Sequence, residues 1–171
     1  MTKWVRLAFV GALALWTVVF ARTPISEDAI GSFLHLSNLI FHEAGHFIFA
    51  PFGRFMTVLG GSLLQFLIPV IAAAAFVGQA EPFSASICAW WAGQNLVDVA
   101  PYIADARSLR LTLIGGRTGA EVEGHDWEFL LNTLGVSHYA HPLGYFTHFI
   151  GIVIMIAAIV YAAITVLRKS E

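Results

Sequence analysis

The sequence predicts an all-α fold, a polytopic bundle of about five transmembrane helices. Hydrophobic residues make up 58% of the 171 residues, charged residues make up 12%, and the mean hydropathy is +0.75. Soluble domains carry about 25% charged residues, so this composition indicates an integral membrane protein, and its length predicts a single domain. Apolar stretches of helical length predict spans near residues 5–21, 29–50, 56–79, 83–104 and 145–167, with a polar segment at residues 106–144.

The first predicted span, residues 5–21, follows the basic residues Lys3 and Arg6 and contains no charge. A retained helix is the favoured interpretation, because little soluble chain follows that would need secretion. A signal peptide is the alternative, since residues 19–21 (Val-Phe-Ala) provide small or modest side chains where cleavage is favoured.

The second predicted span has a clear start and stop. Ser26 is a good N-cap, and Glu27 and Asp28 suit the positive end of a helix dipole. The helix is expected to run to about Phe49 and to stop before the next proline. It therefore carries the sequence Phe-His-Glu-Ala-Gly-His-Phe at residues 41–47.

Within this helix, residues 42–46 form a His-Glu-x-x-His pattern. Positions four apart share one face of a helix, so His42 and His46 can bind one metal ion together. Two imidazoles in this geometry suit Zn²⁺, with a third protein ligand from elsewhere and an open position for water. Bound zinc lowers the pKa of that water to about 7. Glu43, next to His42, is then the predicted general base.

Further polar residues extend the face of this helix that carries the histidines. A charged side chain at membrane depth costs about 2.5–3.5 kcal/mol on insertion scales, so ionisable residues there usually have a function. The alternative is that the polar side chains hold helices together by hydrogen bonds. This polar stripe consists of Ser32, His35, Asn38, His42 and His46, at spacings of 3, 3, 4 and 4.

The third and fourth predicted spans add candidate site residues. Residues 60–62 (Gly-Gly-Ser) and Gln65 are consistent with close helix packing or a turn, or with a border of the active site that offers hydrogen bonds. Asp98 and Asp105 lie seven positions apart near the end of the fourth span. Either one is a candidate for the third metal ligand, unless both simply cap the span at the membrane surface.

The polar segment contains Leu130 and Leu131, which indicate a short amphipathic helix beginning near Asp126. Asp126 is either a metal ligand or only the N-cap of that helix. The histidines of the segment are either surface and interfacial residues or additional candidate ligands. They are His125, His138 and His141.

Charge distribution bears on partners and on topology. The net charge of −2 and the lack of a basic run give no indication of a nucleic-acid partner. Five spans with a cytoplasmic amino terminus agree with the positive-inside tendency, six basic residues against three. The residues predicted inside are Lys3, Arg6, Arg54, Arg107, Arg110 and Arg117, and those outside are Arg22, Arg168 and Lys169.

These stretches resemble the site-2 protease family of intramembrane zinc metalloproteases. Residues 42–46 match the family's metal-binding helix, and residues 61–65 (Gly-Ser-Leu-Leu-Gln) are similar to its glycine-to-asparagine motif, with glutamine replacing asparagine. Residues 98–101 (Asp-Val-Ala-Pro), followed by Asp105, are similar to the family's Asn-x-x-Pro element. In the family that element leads into an Asp-Gly pair whose aspartate is the third zinc ligand.

The resemblance implies that His42, His46 and Asp105 bind Zn²⁺, with Glu43 as general base and then proton donor. It also implies a multi-pass protein of the bacterial inner membrane, whose partners are the lipid bilayer and a membrane protein or peptide substrate. Such a substrate must unwind locally before hydrolysis, because the amides of a helix are bonded internally. Asp126 is similar to a second aspartate found after the core in small bacterial relatives.

Two other functions stay open at this point. One is a zinc-dependent membrane hydrolase of a non-peptide substrate, which uses the same metal chemistry. The other is a non-catalytic membrane scaffold, against which Glu43 argues, because metal binding needs no base beside the ligands. A developing oxyanion needs a second hydrogen-bond donor, for which the candidates are His125, Asn95 and Gln65.

Overall fold

The computed structural model describes residues 2–23, 25 and 33–168. Across these residues the chain is helical, and its only β feature is an isolated bridge between Thr112 and Thr118. The all-α prediction is therefore confirmed. The α-helices are α1 (Lys3–Arg22), α2 (Phe33–Phe49), α3 (Arg54–Gly78), α4 (Pro82–Asp105), α5 (Asp126–Thr133) and α6 (Ala140–Arg168).

The predicted helix start at Ser26, Glu27 and Asp28 lies outside the described residues, as does Ser32 of the polar stripe. Short 3-10 turns precede α3 and α6, at Ala50–Phe52 and Ser137–Tyr139.

Among the described residues, three helices are long and apolar enough to cross a membrane. They are α1, α3 and the stretch Ser137–Arg168 that ends with α6. The structure thus supports a helical membrane protein, and the count of five spans is not confirmed. The described part of α2 has only 17 residues, and α4, although 24 residues long, buries Gln94, Asn95 and Asp98.

Helix α4 lies at the centre of the bundle, with α6 and α3 packed against it. Helix α1 packs on α6, and α2 packs on α3. Small residues let the central backbones approach closely, since a Cβ added to Gly93 of α4 would lie 2.7 Å from the Gly151 carbonyl oxygen of α6. This central position explains why α4 can carry polar side chains that face protein rather than lipid.

Helix α1 runs in the same direction as α4. Near the start of both helices, Val10 and Phe83 belong to one buried cluster. Further along, the Trp90 indole N–H donates to Thr17 Oγ1 at 2.8 Å. The two helices therefore begin at one end of the bundle and finish at the other.

Helix α6 runs in the opposite direction to α1 and α4. A Cβ added to Gly144, near the start of α6, would lie 2.6 Å from the Ala104 Cβ at the end of α4. His148 Nε2 donates to the Phe20 carbonyl near the end of α1, at 3.3 Å. Helix α6 thus begins where α1 and α4 finish.

We call the end where α1 and α4 finish and α3 and α6 begin the Asp105 end, and the opposite end the Pro82 end. Because α1 starts at the Pro82 end, Lys3 and Arg6 lie at the other end of the bundle from Arg54. The expected topology put all three on one side of the membrane. An apolar helix has the same composition read in either direction, so the sequence does not reveal this orientation.

The loop after α4 is folded around the Asp105 carboxylate. Its Oδ1 accepts hydrogen bonds from Ser108 Oγ and from the Arg110 N–H, and its Oδ2 accepts one from the Leu111 N–H at 2.9 Å. A tight turn follows, in which Gly115 and Gly116 have φ values of +98° and +79°. The carboxylate thereby fixes how the polar segment leaves α4.

The predicted amphipathic helix is confirmed as α5. Leu130 and Leu131 are buried on its inner face. Its N-cap is His125 rather than Asp126, because His125 Nδ1 accepts a hydrogen bond from the Glu128 N–H at 3.1 Å. Asp126 is therefore the first helical residue, at the positive end of the helix.

Candidate metal centre

The two histidines of the His-Glu-x-x-His pattern converge on one carboxylate. His42 Nε2 lies 3.0 Å from Asp126 Oδ2, and His46 Nε2 lies 3.3 Å from the same oxygen. Ligand atoms held about 2.0–2.1 Å from a tetrahedral zinc ion lie about 3.3 Å apart. The separation of each Nε2 from the carboxylate oxygen is therefore close to that between zinc ligands, and the three ligand atoms all lie within 4.8 Å of one another.

The other nitrogen of each ring is already engaged. His42 Nδ1 lies 3.1 Å from Gln65 Oε1, and His46 Nδ1 lies 2.9 Å from the Thr57 carbonyl oxygen. Amide and carbonyl oxygens only accept hydrogen bonds, so each Nδ1 carries a proton and Nε2 is the nitrogen of each ring that is left to bind a metal. Two Nε2 atoms and a carboxylate oxygen thus face one another, and a cation bound between them would take the place of any proton shared there.

Gly61 makes room for both rings. A Cβ at this position would lie 2.7 Å from His42 Nε2 and 2.7 Å from His46 Cε1. The neighbouring Gly60 contacts Gly45 of α2, where an added Cβ would lie 2.0 Å from the Gly60 carbonyl oxygen. The glycine stretch of α3 therefore provides close helix packing and also borders the candidate metal centre.

Docking of α5 on α3 brings Asp126 to the histidines. The Trp127 indole N–H donates to Ser62 Oγ at 3.2 Å, and the Arg54 guanidinium lies 4.7 Å from the centre of the Phe129 ring. Gly124, with φ of +125°, turns the chain just before His125. These contacts hold the first turn of α5 over the histidine face of α2.

The structure does not bring Asp105, the predicted third ligand, into the group that contains the histidines. In the described part of the chain, the group able to hold a metal is His42, His46 and Asp126, whose ligand atoms lie within 4.8 Å of one another. The oxygens of Asp105 are instead taken by the loop after α4. The sequence signals for Asp126 were the glycine before it and the amphipathic helix after it.

Asp98, the other carboxylate considered, is buried behind the histidines. Only 3% of it is exposed. Its Oδ1 lies 3.0 Å from His35 Nδ1, and its Oδ2 accepts from Gln65 Nε2 at 2.9 Å and from Asn38 Nδ2 at 3.2 Å. With three donors around it, Asp98 is a structural partner of the polar stripe and lies outside the ligand cluster.

The polar stripe on α2 therefore divides into two parts. His35 and Asn38 make buried hydrogen bonds to α4, as the packing interpretation expects. His42 and His46 instead face Asp126.

The remaining histidines considered as ligands have other surroundings. Burial lowers the pKa of His125, outweighing the nearby carboxylates Asp105 and Asp126, so this ring is neutral at pH 7. His125 Nε2 lies 3.7 Å from Asp105 Oδ2, beyond hydrogen-bonding distance. His138 and His141 contact neighbouring tyrosine rings near the start of α6.

A cavity of about 300 Å³ opens beside the candidate ligands. Glu43 lines it together with His42, His46 and Asp126, so the predicted base and the ligand cluster share one space. The residues of its apolar wall include Leu39, Val99, Leu113, Ile114, Val122 and Trp127.

Comparison with protein-family models, with curated proteins and with solved structures finds no significant match to this chain.

Proposed function

We propose that this protein is an intramembrane zinc-dependent endopeptidase, which hydrolyses a peptide bond in or beside a transmembrane segment as site-2 proteases do. The observation that carries the proposal is the approach of two Nε2 atoms, from His42 and His46, to one oxygen of Asp126. Two histidines and a carboxylate are a ligand set of hydrolytic zinc sites, which leave a fourth position for water. Glu43 on the same cavity supplies the base that a purely structural metal site does not need.

When bound, zinc would act as a Lewis acid toward the peptide carbonyl and lower the pKa of water at the site. Glu43 takes a proton from the attacking water as the water oxygen bonds to the carbonyl carbon. The same proton then passes to the leaving nitrogen as the C–N bond breaks.

His125 is the favoured donor to the oxyanion that develops on the carbonyl. Its Nδ1 accepts from Glu128, so in the neutral ring Nε2 carries the proton. That Nε2 has no hydrogen-bond partner within the described part of the structure, and His125 lines the cavity. Gln65 is engaged at both ends of its amide, and Asn95 bonds to the Trp91 carbonyl.

The cavity restricts the form in which a substrate can enter. At about 300 Å³ it holds a few side chains, whereas an intact helix is about 10–12 Å across. The scissile segment therefore enters unwound, which favours substrates with weak helix formers near the cleaved bond. The apolar wall formed by Leu39, Val99 and Val122 suits an aliphatic side chain beside that bond.

The test combines metal analysis with substitution of the base. The protein is purified in detergent, zinc and iron per chain are quantified, and hydrolysis of a panel of labelled transmembrane peptides is measured in proteoliposomes. Glu43→Gln is expected to retain zinc and to lose about 100-fold or more of the hydrolysis rate. Glu81→Gln, in the α3–α4 connection, is the matched control and is expected to cleave normally.

Three results would contradict the proposal. One is wild-type protein that retains no zinc even after zinc is added. Another is iron in place of zinc, since two histidines and a carboxylate also hold iron(II) in oxygenases. The last is normal peptide hydrolysis by Glu43→Gln.

A further inference from the structure

A buried chain of hydrogen bonds extends from His42 into the centre of the bundle. Burying polar groups in an apolar protein is costly unless each is paired, so a continuous buried network needs a reason. Within this network Asn38 and Gln94 are fully buried, and Gln65 and Asp98 are each 3% exposed. Its members are His35, Asn38, Gln65, Trp91, Gln94 and Asp98.

The network determines which way the Gln65 amide points. Gln65 Nε2 donates to Asp98 Oδ2 at 2.9 Å, and Gln65 Oε1 faces His42 Nδ1 at 3.1 Å. A carboxylate only accepts hydrogen bonds, so the NH₂ group of Gln65 must face Asp98 and its oxygen must face His42. A flipped amide would set one oxygen against another.

Asp98 is itself held by donors of defined orientation. The Trp91 indole N–H donates to Asn38 Oδ1 at 2.9 Å, which fixes the oxygen side of that amide. Asn38 Nδ2 therefore points to Asp98 Oδ2 and to Gln94 Oε1, at 3.2 and 2.8 Å. His35 Nδ1 holds the other carboxylate oxygen at 3.0 Å.

From this geometry we infer that Asp98 is a positioning residue for the metal centre, acting through Gln65 on His42. By orienting the Gln65 amide it keeps the proton of His42 on Nδ1, and so keeps the Nε2 lone pair directed at the metal. Outer partners of this kind change metal affinity by about 10–100-fold. The inference rests on the proposed zinc centre and assigns a function to a carboxylate that is not itself a ligand.

Two variants are compared. One removes Asp98, and the other also replaces Gln65 so that the orientation of the side chain at position 65 no longer matters. In Asp98→Ala the Gln65 amide can adopt either orientation. When its NH₂ group faces His42, it favours the tautomer that carries its proton on Nε2 rather than on Nδ1. In Asp98→Ala/Gln65→Glu, the carboxylate at position 65 accepts the His42 Nδ1 proton whichever oxygen faces it. The double variant also keeps the net charge of the site.

The measurement is zinc affinity, by competition with a chelator, on detergent-purified protein. Asp98→Ala is expected to weaken zinc binding about 10–100-fold, and the double variant is expected to recover it to within a few-fold of wild type. Asn95→Ala is the matched control, because Asn95 is a buried polar residue of α4 whose amide bonds only to its own helix. It is expected to bind zinc normally.

Unchanged affinity in Asp98→Ala, or loss that Gln65→Glu does not recover, would overturn the inference while leaving the zinc centre in place. Wild-type protein that binds no zinc would instead overturn the proposed function. A second measurement covers the case in which Asp98→Ala does not fold. Nitrogen-15 NMR of zinc-free wild-type protein should show His42 protonated on Nδ1, and a ring that carries its proton on Nε2 alone would contradict the inference.

Discussion

Asp105 is the last residue of α4 and Asp126 is the first residue of α5, and the oxygens of the two carboxylates face different partners. Asp126 Oδ2 lies within 3.3 Å of Nε2 of both His42 and His46. The oxygens of Asp105 accept the Ser108 hydroxyl and two backbone N–H groups of the next loop. One carboxylate is thus arranged for a cation, and the other organises the backbone that leads to it.

Substitution separates these two carboxylates. Asp126→Ala is expected to weaken zinc binding by about 100-fold or more, beyond the usual effect of an outer partner, because it removes a ligand. Asp105→Asn keeps an acceptor for the loop and is expected to change zinc affinity by only a few-fold. Chelator competition on both purified proteins measures the difference. If Asp105→Asn loses zinc while Asp126→Ala retains it, the ligand set described above is wrong.

The histidine pair and the third ligand differ in how far sequence predicts them. His42 and His46 share a face because the helical repeat fixes the geometry of positions four apart. Asp126 lies 80 residues beyond His46 in the sequence. Its place depends on Trp127 docking on Ser62, a tertiary contact with no local pattern. Several carboxylates looked equivalent for this reason, and the resemblance favoured Asp105.

At the scale of elements, the candidate site depends on how closely α2 and α3 cross. The backbones touch at Gly45 and Gly60, where an added Cβ would lie 2.0 Å from a carbonyl oxygen. His46 follows Gly45 directly, and its Nδ1 hydrogen bond goes to Thr57 on the facing helix. Separating the two helices would therefore change both packing and ligand geometry.

Gly45→Ala tests this crossing. Overpacking of this kind costs about 1–3 kcal/mol, because backbone rather than a flexible side chain has to move. We expect the thermal midpoint in detergent to fall by about 2–12 °C and zinc stoichiometry to fall with it. Gly11→Ala in α1 is the control, since no atom lies within 4 Å of its added Cβ. A Gly45→Ala protein as stable as the control would show that the helices do not cross this closely.

The polar stripe on α2 shows how much a periodic pattern can predict and where that prediction ends. The repeat of 3 and 4 places His35, Asn38 and the two ligand histidines on one side of α2. It does not say which neighbour each residue meets, because that depends on how α2 lies between α3 and α4. The stripe consequently serves two partners, Asp98 on one side and Asp126 on the other.

At the scale of the whole molecule, the direction of α1 determines which termini share a side. Helix α1 starts at the Pro82 end, whereas the candidate metal centre lies near the Asp105 end. His46 is three residues from the last residue of α2, which is about 5 Å along a helix axis. The site is thus near the end of the bundle at which α3 begins.

The distribution of basic residues predicts which side of the membrane the Asp105 end faces. Among the described residues, the Asp105 end carries more of them than the Pro82 end, and the positive-inside rule associates such an excess with the cytoplasm. Those at or next to the Asp105 end are Arg22, Arg54, Arg107, Arg110 and Arg117, against Lys3, Arg6 and Arg168 at the Pro82 end.

Labelling of single cysteines tests this topology. In a Cys88→Ala background, Thr2→Cys, Gln79→Cys and Gly115→Cys are treated with a membrane-impermeant maleimide, in right-side-out and in inverted vesicles. Gly115→Cys is expected to react only in inverted vesicles, because it lies in the loop beyond the Asp105 end. Thr2→Cys and Gln79→Cys are expected to react only in right-side-out vesicles, since both lie at the Pro82 end.

Each pair of sites isolates one feature of the fold. Thr2 and Gly115 reacting from the same side would restore the five-span topology and contradict the direction of α1. Gln79 and Gly115 reacting from the same side would mean that α3 and α4 do not cross the bilayer as described. Reaction from opposite sides, as expected, would place the loop bearing Asp126 at the cytoplasmic surface, so that a substrate segment would meet the ligand cluster from that face.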